Sequence, residues 1–132
     1  MKILNPQVLS DIEAGKALNL NLGGGAQDRP GYYSLDLVEL AGVDIVADLN
    51  APLQMLPDNC AKSVFSRHAL EHVVNFLPLM EEIHRITRDS GTIELAFLIN
   101  ASNLSLEESL IEASFGKTYM KEGSVVFSTR GK

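Results

Sequence analysis

The sequence predicts an α/β fold built on a mostly parallel sheet, and three observations carry that expectation. Short apolar segments of strand length alternate with amphipathic stretches of helical period. The segment Leu18, Leu20, Leu22 alternates with Asn19 and Asn21 and runs directly into Gly23, Gly24 and Gly25. Acidic residues, Asp36 and Asp48, close the next two strand candidates. In open parallel sheets ligands collect beyond the carboxyl ends of the strands, so these positions are the first to examine.

The elements follow in order. Asn5 before Pro6 is a helix start, with Asn as cap and Pro at the first helical position. Val8, Leu9 and Ile12 keep helical spacing, and Gly15 is the stop. The first strand is Leu18 to Leu22, followed by Tyr33 to Leu37, Asp44 to Ala47 and residues 63 to 67. Residues 75 to 87 carry Leu77, Leu79, Met80, Ile83 and Ile86, a helical stripe. Gly91 breaks it, and Thr92 to Ile99 is the longest apolar strand candidate. Ser105 with Glu108 forms a capping box for a further helix. Ser124 to Thr129 is the last strand.

Composition bounds the function. The chain has 132 residues, enough for one domain over 1–132, and 45% of them are hydrophobic, so disorder is excluded. Its formal charge of -6 repels phosphate backbones, which disfavours nucleic acid as a partner. No run reaches the roughly 18 apolar residues of a membrane span. Asn5 and Pro6 break the start too early for a signal peptide. The lone cysteine, Cys60, fits a reduced cytoplasmic setting and excludes an internal disulfide.

The candidate site reads as follows. Glycines at Gly23 to Gly25 let a ligand approach the backbone, although a plain tight turn needs them equally. Asp36 can accept two hydrogen bonds from a ribose diol, and Asp48 one from an adenine amine. Strand-end capping explains either acid alone, and it is the better reading of Asp44. The dinucleotide pattern G-x-G-x-x-G is not met, because Asp28 stands at its third glycine, and this weakens a nicotinamide oxidoreductase. His68, Glu71 and His72 have the H-x-x-E-H spacing of some zinc hydrolases. That run starts at a strand end rather than within a helix, and a zinc site is disfavoured, with no metal expected.

The segments LNLNLGGGAQDRPGYYSLDL, GVDIVADLNAPLQMLPDNCAKSVFSRHALEHV and LMEEIHRITRDSGTIELAF resemble class I S-adenosylmethionine-dependent methyltransferases of the small methyltransferase-type-11-like subgroup. The resemblance covers about residues 17 to 99 and implies a Rossmann-like, doubly wound sheet, minimal or truncated at the C-terminal strands. It implies S-adenosylmethionine as cofactor and a small-molecule methyl acceptor. By that resemblance Gly23, Gly24 and Gly25 cradle the amino-acid part. Asp36 holds the ribose with Leu37 beside the adenine, and Asp48 and Leu49 meet the adenine amine and ring. Ser66, Arg67 and His68 lie under the methionine part and the methyl group. His68 is the candidate general base, with an unperturbed pKa near 6.5, against a plain packing role. Glu71 and His72 order the start of the following helix, and His84 is a surface residue.

The sequence departs from the subgroup at Gly24, where Cys is common; at Asn21 many members carry an acid near the cofactor's amino group, and the subgroup tolerates Asn. Lys62 stands where an acid is common, and Arg88 to Gly91 replaces a Lys-Pro-Gly-Gly turn. These departures motivate the alternative of a catalytically inactive cofactor-binding domain or partner subunit. A single closing strand, Ser124 to Thr129, would leave an apolar edge, and that predicts a homodimer through the C-terminal end of the sheet.

Overall fold

The computed structural model describes residues 1–23, 29–67, 73–74, 76–96, 118–121 and 124–131. Asn5 caps the first helix as expected: its side chain accepts from the Gln7 amide at 3.0 Å, and Pro6 opens α1 (Pro6–Glu13). Gly15 ends it with a φ of 72°, the left-handed stop that glycine adopts without strain. Ahead of α1 lies a two-residue strand, β1 (Lys2–Ile3), too short to leave a sequence signal.

The alternating Leu and Asn residues form β2 (Leu18–Leu22). It is followed by β3 (Tyr33–Asp36), β4 (Ile45–Val46), β5 (Ala61–Arg67), α2 (Phe76–Ile86) and β6 (Thr87–Ala96). The chain closes with β7 (Thr118–Lys121) and β8 (Ser124–Ser128). The sheet order is β1-β4-β3-β2-β5-β6-β8-β7. Strands β4, β3, β2, β5 and β6 are mutually parallel, while β1 and β8 join antiparallel. This is the mostly parallel Rossmann-like sheet that the sequence predicts.

The expected single closing strand is corrected to a pair. β7 pairs antiparallel with β8, so β8 is an inner strand rather than the sheet edge. Thr118–Lys121 is Thr-Tyr-Met-Lys, too short to show an alternation, which is why it was not legible. The helix expected from Ser105 lies outside the described residues.

Registered neighbours on paired strands share a face of the sheet. Leu20, Val64, Ile93 and Phe127 are registered in turn across β2, β5, β6 and β8. Leu22, Leu35 and Ile45 continue that face through β3 and β4. All are buried, and α1 adds Val8 while α2 adds Leu79, Met80, Ile83 and Ile86 to the same cluster. Each fully buried leucine contributes roughly 1.5–3 kcal/mol. Tyr33, registered with Leu20, ties α1 to this face by donating from its hydroxyl to Asp11 Oδ2 at 2.6 Å. Among the described residues both helices therefore cover the leucine face. The opposite face carries Asn19, Asn21, Ser63, Phe65, Thr92 and Glu94.

β6 begins directly after α2, earlier than its apolar run suggests. Arg88 to Gly91 is a bulge inside the strand, since Ala61 pairs with Thr87 but Ser63 with Thr92. Ser90 has a φ of 62° there. Gly91 is required by space: a Cβ would stand 2.5 Å from Thr87 Cγ2 and 2.9 Å from the Arg88 carbonyl oxygen. Buried Thr129 clamps the bulge, donating to the Arg88 carbonyl and accepting from the Gly91 amide.

The connection from β4 to β5 has no helix, yet it buries Leu53 and Leu56 completely. α2 holds it through Arg85, which donates to the carbonyls of Leu53 and Leu56 at 3.0 and 2.8 Å and to Asp58 at 2.9 Å. Glu82 accepts from the Leu53 amide at 2.8 Å and pairs with Arg85 at 2.9 Å. The hydrogen bond from Arg85 holds the Glu82 carboxyl below its ordinary range, and the same bond raises Arg85.

Candidate functional site at the carboxyl edge of the sheet

Because β2, β3, β4 and β5 run parallel, their carboxyl ends open on one edge. Gly23 follows β2 with a φ of 70°, a conformation in which a side chain is strained. Its amide donates to the Leu35 carbonyl at 2.6 Å, locking the turn against β3. Asp36 ends β3, and its carbonyl accepts from the Ala47 amide at 2.9 Å, so the end of β4 is fixed beside it. Asp48 follows as an exposed residue, two positions past β4.

Both acids use part of their capacity locally. Asp36 Oδ1 accepts from the Val38 amide at 3.2 Å, and Asp48 Oδ1 from the Asn50 amide at 2.8 Å. These are the turn-forming bonds expected of strand-end aspartates, and an ionised carboxylate has roughly four acceptor positions. Leu37 is 63% exposed beside Asp36, and Leu49 is half-buried against the core. Asp44 proves structural: it accepts from Asn5 Nδ2 and from the Ser34 amide, stitching the segment after β1 to β3.

From β5, Ser66 is fully buried and its hydroxyl donates to the Leu22 carbonyl at 3.0 Å. It thus positions the residue before the glycine turn. Arg67 is exposed at the strand end, with its guanidinium 5.7 Å from the Phe65 ring centroid. Gly24, Gly25, His68, Glu71 and His72 lie outside the described residues. His84 is half-buried on α2.

Arg29 and Tyr32, absent from the sequence-based candidates, gather here with Asn21. Arg29 lies over the Phe65 ring at 3.8 Å and the Tyr32 ring at 4.7 Å. Tyr32 in turn shares a 2.7 Å hydrogen bond with Ser63. Asn21, only 5% exposed, is registered with Phe65. The Asn21 Oδ1 and Arg29 Nε atoms are buried without a hydrogen-bond partner among the described residues. Arg29 precedes β3 and meets Phe65 of β5 only in the folded chain, so the linear sequence shows no signal for it.

The residues fit a nucleoside carrying an amino acid. The left-handed turn at Gly23 favours a residue without a side chain, the strand-end carboxylates suit hydroxyl and amine donors, and the orphaned amide oxygen of Asn21 calls for a donor.

Comparison with known proteins defines the class first. A protein from Methanococcus maripaludis assigned to the S-adenosyl-L-methionine-dependent methyltransferases superposes with a TM-score of 0.67 at 13% identity, covering 96% of this chain and 84% of that one. An S-adenosylmethionine-dependent methyltransferase from Aquifex aeolicus gives 0.58 at 15% identity, covering 92% and 88%. The phosphoethanolamine N-methyltransferase 2 of Haemonchus contortus gives 0.54 at 16% identity, covering 83% of this chain and 36% of that one. Likeness at these identities establishes the fold. No curated protein sequence matches the chain. The model of the methyltransferase-domain family matches residues 30–95, half of the chain. The chain belongs to that family, the S-adenosylmethionine-dependent class I methyltransferases.

Proposed function

We propose that the chain transfers the methyl group of S-adenosylmethionine to a small-molecule acceptor, with the cofactor lying along the carboxyl edge. The observation that carries this reading is the meeting of Gly23, Asp36 and Asp48 at the ends of adjacent parallel strands. In this reading Gly23 to Gly25 cradle the amino-acid end, Asp36 accepts from the ribose hydroxyls, and Asp48 accepts from the adenine amine. Leu37 and Leu49 flank the base. Ser66 and Arg67 shape the floor near the methyl group, with His68 as the base for an acceptor proton. The bound cofactor supplies an electrophilic methyl on a sulfonium. The chain's part is to hold donor and acceptor in line and to exclude water.

The small-molecule acceptor is supported by the Haemonchus contortus enzyme, whose structure holds phosphomonomethylethanolamine with S-adenosylhomocysteine. No described helix is long and apolar enough to cross a membrane, and the reading places the chain in the cytoplasm, where Cys60 stays reduced. With β8 covered by β7, two copies would meet along β7 instead.

Thermal shift tests the reading, because a ligand that binds only the folded state raises its apparent stability. S-adenosylhomocysteine and S-adenosylmethionine should each raise the melting temperature and NAD should not. Stabilisation by NAD alone would overturn the proposal. Stabilisation by both adenosyl ligands without methyl transfer to any of a broad acceptor panel would favour a binding domain without catalysis.

A further inference from the structure

The faces and edges of a guanidinium do different work. Its faces stack on aromatic rings, while its N–H donors lie in the plane and need acceptors at the rim. Arg29 carries its guanidinium carbon 3.8 Å from the Phe65 ring centroid and 4.7 Å from that of Tyr32. At its rim, Nε is buried with no hydrogen-bond partner, and no ion pair among the described residues includes Arg29. A buried unsatisfied N–H is costly, and the formal charge of -6 shows that carboxylates are abundant in this chain. The rings therefore hold the fork in place without satisfying it.

Asn21 supplies the second observation. It sits one residue before the end of β2, on the same face as Phe65, and its Oδ1 is orphaned although the residue is 5% exposed. An orphaned anion receptor and an orphaned acceptor share one face beside the glycine turn. An α-amino acid end group complements both, the carboxylate meeting Arg29 and the ammonium meeting Asn21 Oδ1. With a neutral amide at position 21, the fixed charge of this pair lies on Arg29.

We propose that Arg29, held against the rings of Phe65 and Tyr32, binds the ligand's amino-acid carboxylate through its guanidinium rim, so that recognition of the amino-acid end depends on the carboxylate more than on the ammonium. This rests on the methyltransferase reading and deepens it. Arg29 is a binding residue that anchors the cofactor's far end.

Calorimetry on the full chain tests the assignment with S-adenosylhomocysteine, its decarboxylated analogue and 5′-methylthioadenosine, which lacks the amino-acid end. The wild-type chain should bind S-adenosylhomocysteine roughly ten- to a hundredfold more tightly than the decarboxylated analogue, the range for a charged hydrogen-bonded pair. Arg29→Met keeps bulk on the rings and should lose that factor toward S-adenosylhomocysteine only. Its affinity for the other two ligands should stay within about twofold of wild type, so the two ligand preferences converge. Arg29→Lys, which keeps the charge but not the fork, should lose a smaller factor toward the same ligand and serves if Arg29→Met does not fold. Equal weakening of all three ligands would show that Arg29 only plugs the sheet face and would overturn the proposal. Unchanged affinity for S-adenosylhomocysteine would overturn it too, because the carboxylate would be held elsewhere. A wild-type chain that binds none of the three would instead overturn the methyltransferase reading itself.

Discussion

Arg85 and Arg29 place the same side chain in opposite circumstances. Arg85 donates to two backbone carbonyls and to the carboxylates of Glu82 and Asp58. Its fork is consumed in fastening the helix-free connection between β4 and β5 to α2. Arg29 is gripped by rings, with a buried N–H left over. One region is internally satisfied and carries structure. The other, at the carboxyl edge, keeps polar capacity in reserve, as a recognition surface must.

The contrast breaks most visibly at Arg85. Arg85→Ala leaves the Glu82 carboxylate without its cation and frees the Leu53 and Leu56 carbonyls. The fold should lose about 2–4 kcal/mol in urea denaturation, somewhat below the full cost of breaking a buried pair because Arg85 keeps 31% side-chain exposure. A loss under about 0.5 kcal/mol would mean that the connection holds by Leu53 and Leu56 packing alone. Gly23→Val comes next, on the other side of the comparison. A β-branched residue at a φ of 70° costs roughly 1–3 kcal/mol of stability. Binding of S-adenosylhomocysteine should disappear under conditions where circular dichroism still shows the folded chain. Full affinity in a folded Gly23→Val protein would reduce the turn to a turn.

The smallest effect is a pH dependence. The Arg85 hydrogen bond depresses Glu82 in the folded state, so its stabilisation is complete above the ordinary glutamate value and is lost as pH falls through the lower folded value. Glu82→Gln should therefore be less stable than wild type at neutral pH and converge with it toward the acid end. Parallel curves from neutral to acid pH would show that Glu82 is not coupled to folding. Tyr33 is pushed up to about 12 by burial and by its bond to Asp11, so it stays protonated across this range.

The sequence shows the first of these regions poorly and, of the second, only the strand ends. Leu18, Leu20 and Leu22 announced β2 because period-two alternation has few other causes, and Asp36 and Asp48 were visible because each closes a short apolar run. Arg85 stands between the apolar positions of the helical stripe, and nothing beside it in the sequence marks its role. Its partners, Leu53, Leu56 and Asp58, lie roughly thirty positions away and are brought to it only by the packing of α2. Arg29 was hidden for the same reason, since Phe65 reaches it from β5. Arg88 to Gly91 reads as a turn, since it ends in glycine and stands where the subgroup has Lys-Pro-Gly-Gly. It is a bulge because Thr129, from beyond β8, completes its hydrogen bonds.

The central claim is that the carboxyl edge holds the cofactor by its strand-end carboxylates, and calorimetry with S-adenosylhomocysteine on wild-type and Asp36→Ala chains tests it most directly. Asp36→Ala removes charged acceptors and should weaken binding by about 1.5–3 kcal/mol while leaving the melting temperature of the ligand-free chain nearly unchanged. Equal affinity for the two chains would contradict the account, since the ribose would then be held elsewhere.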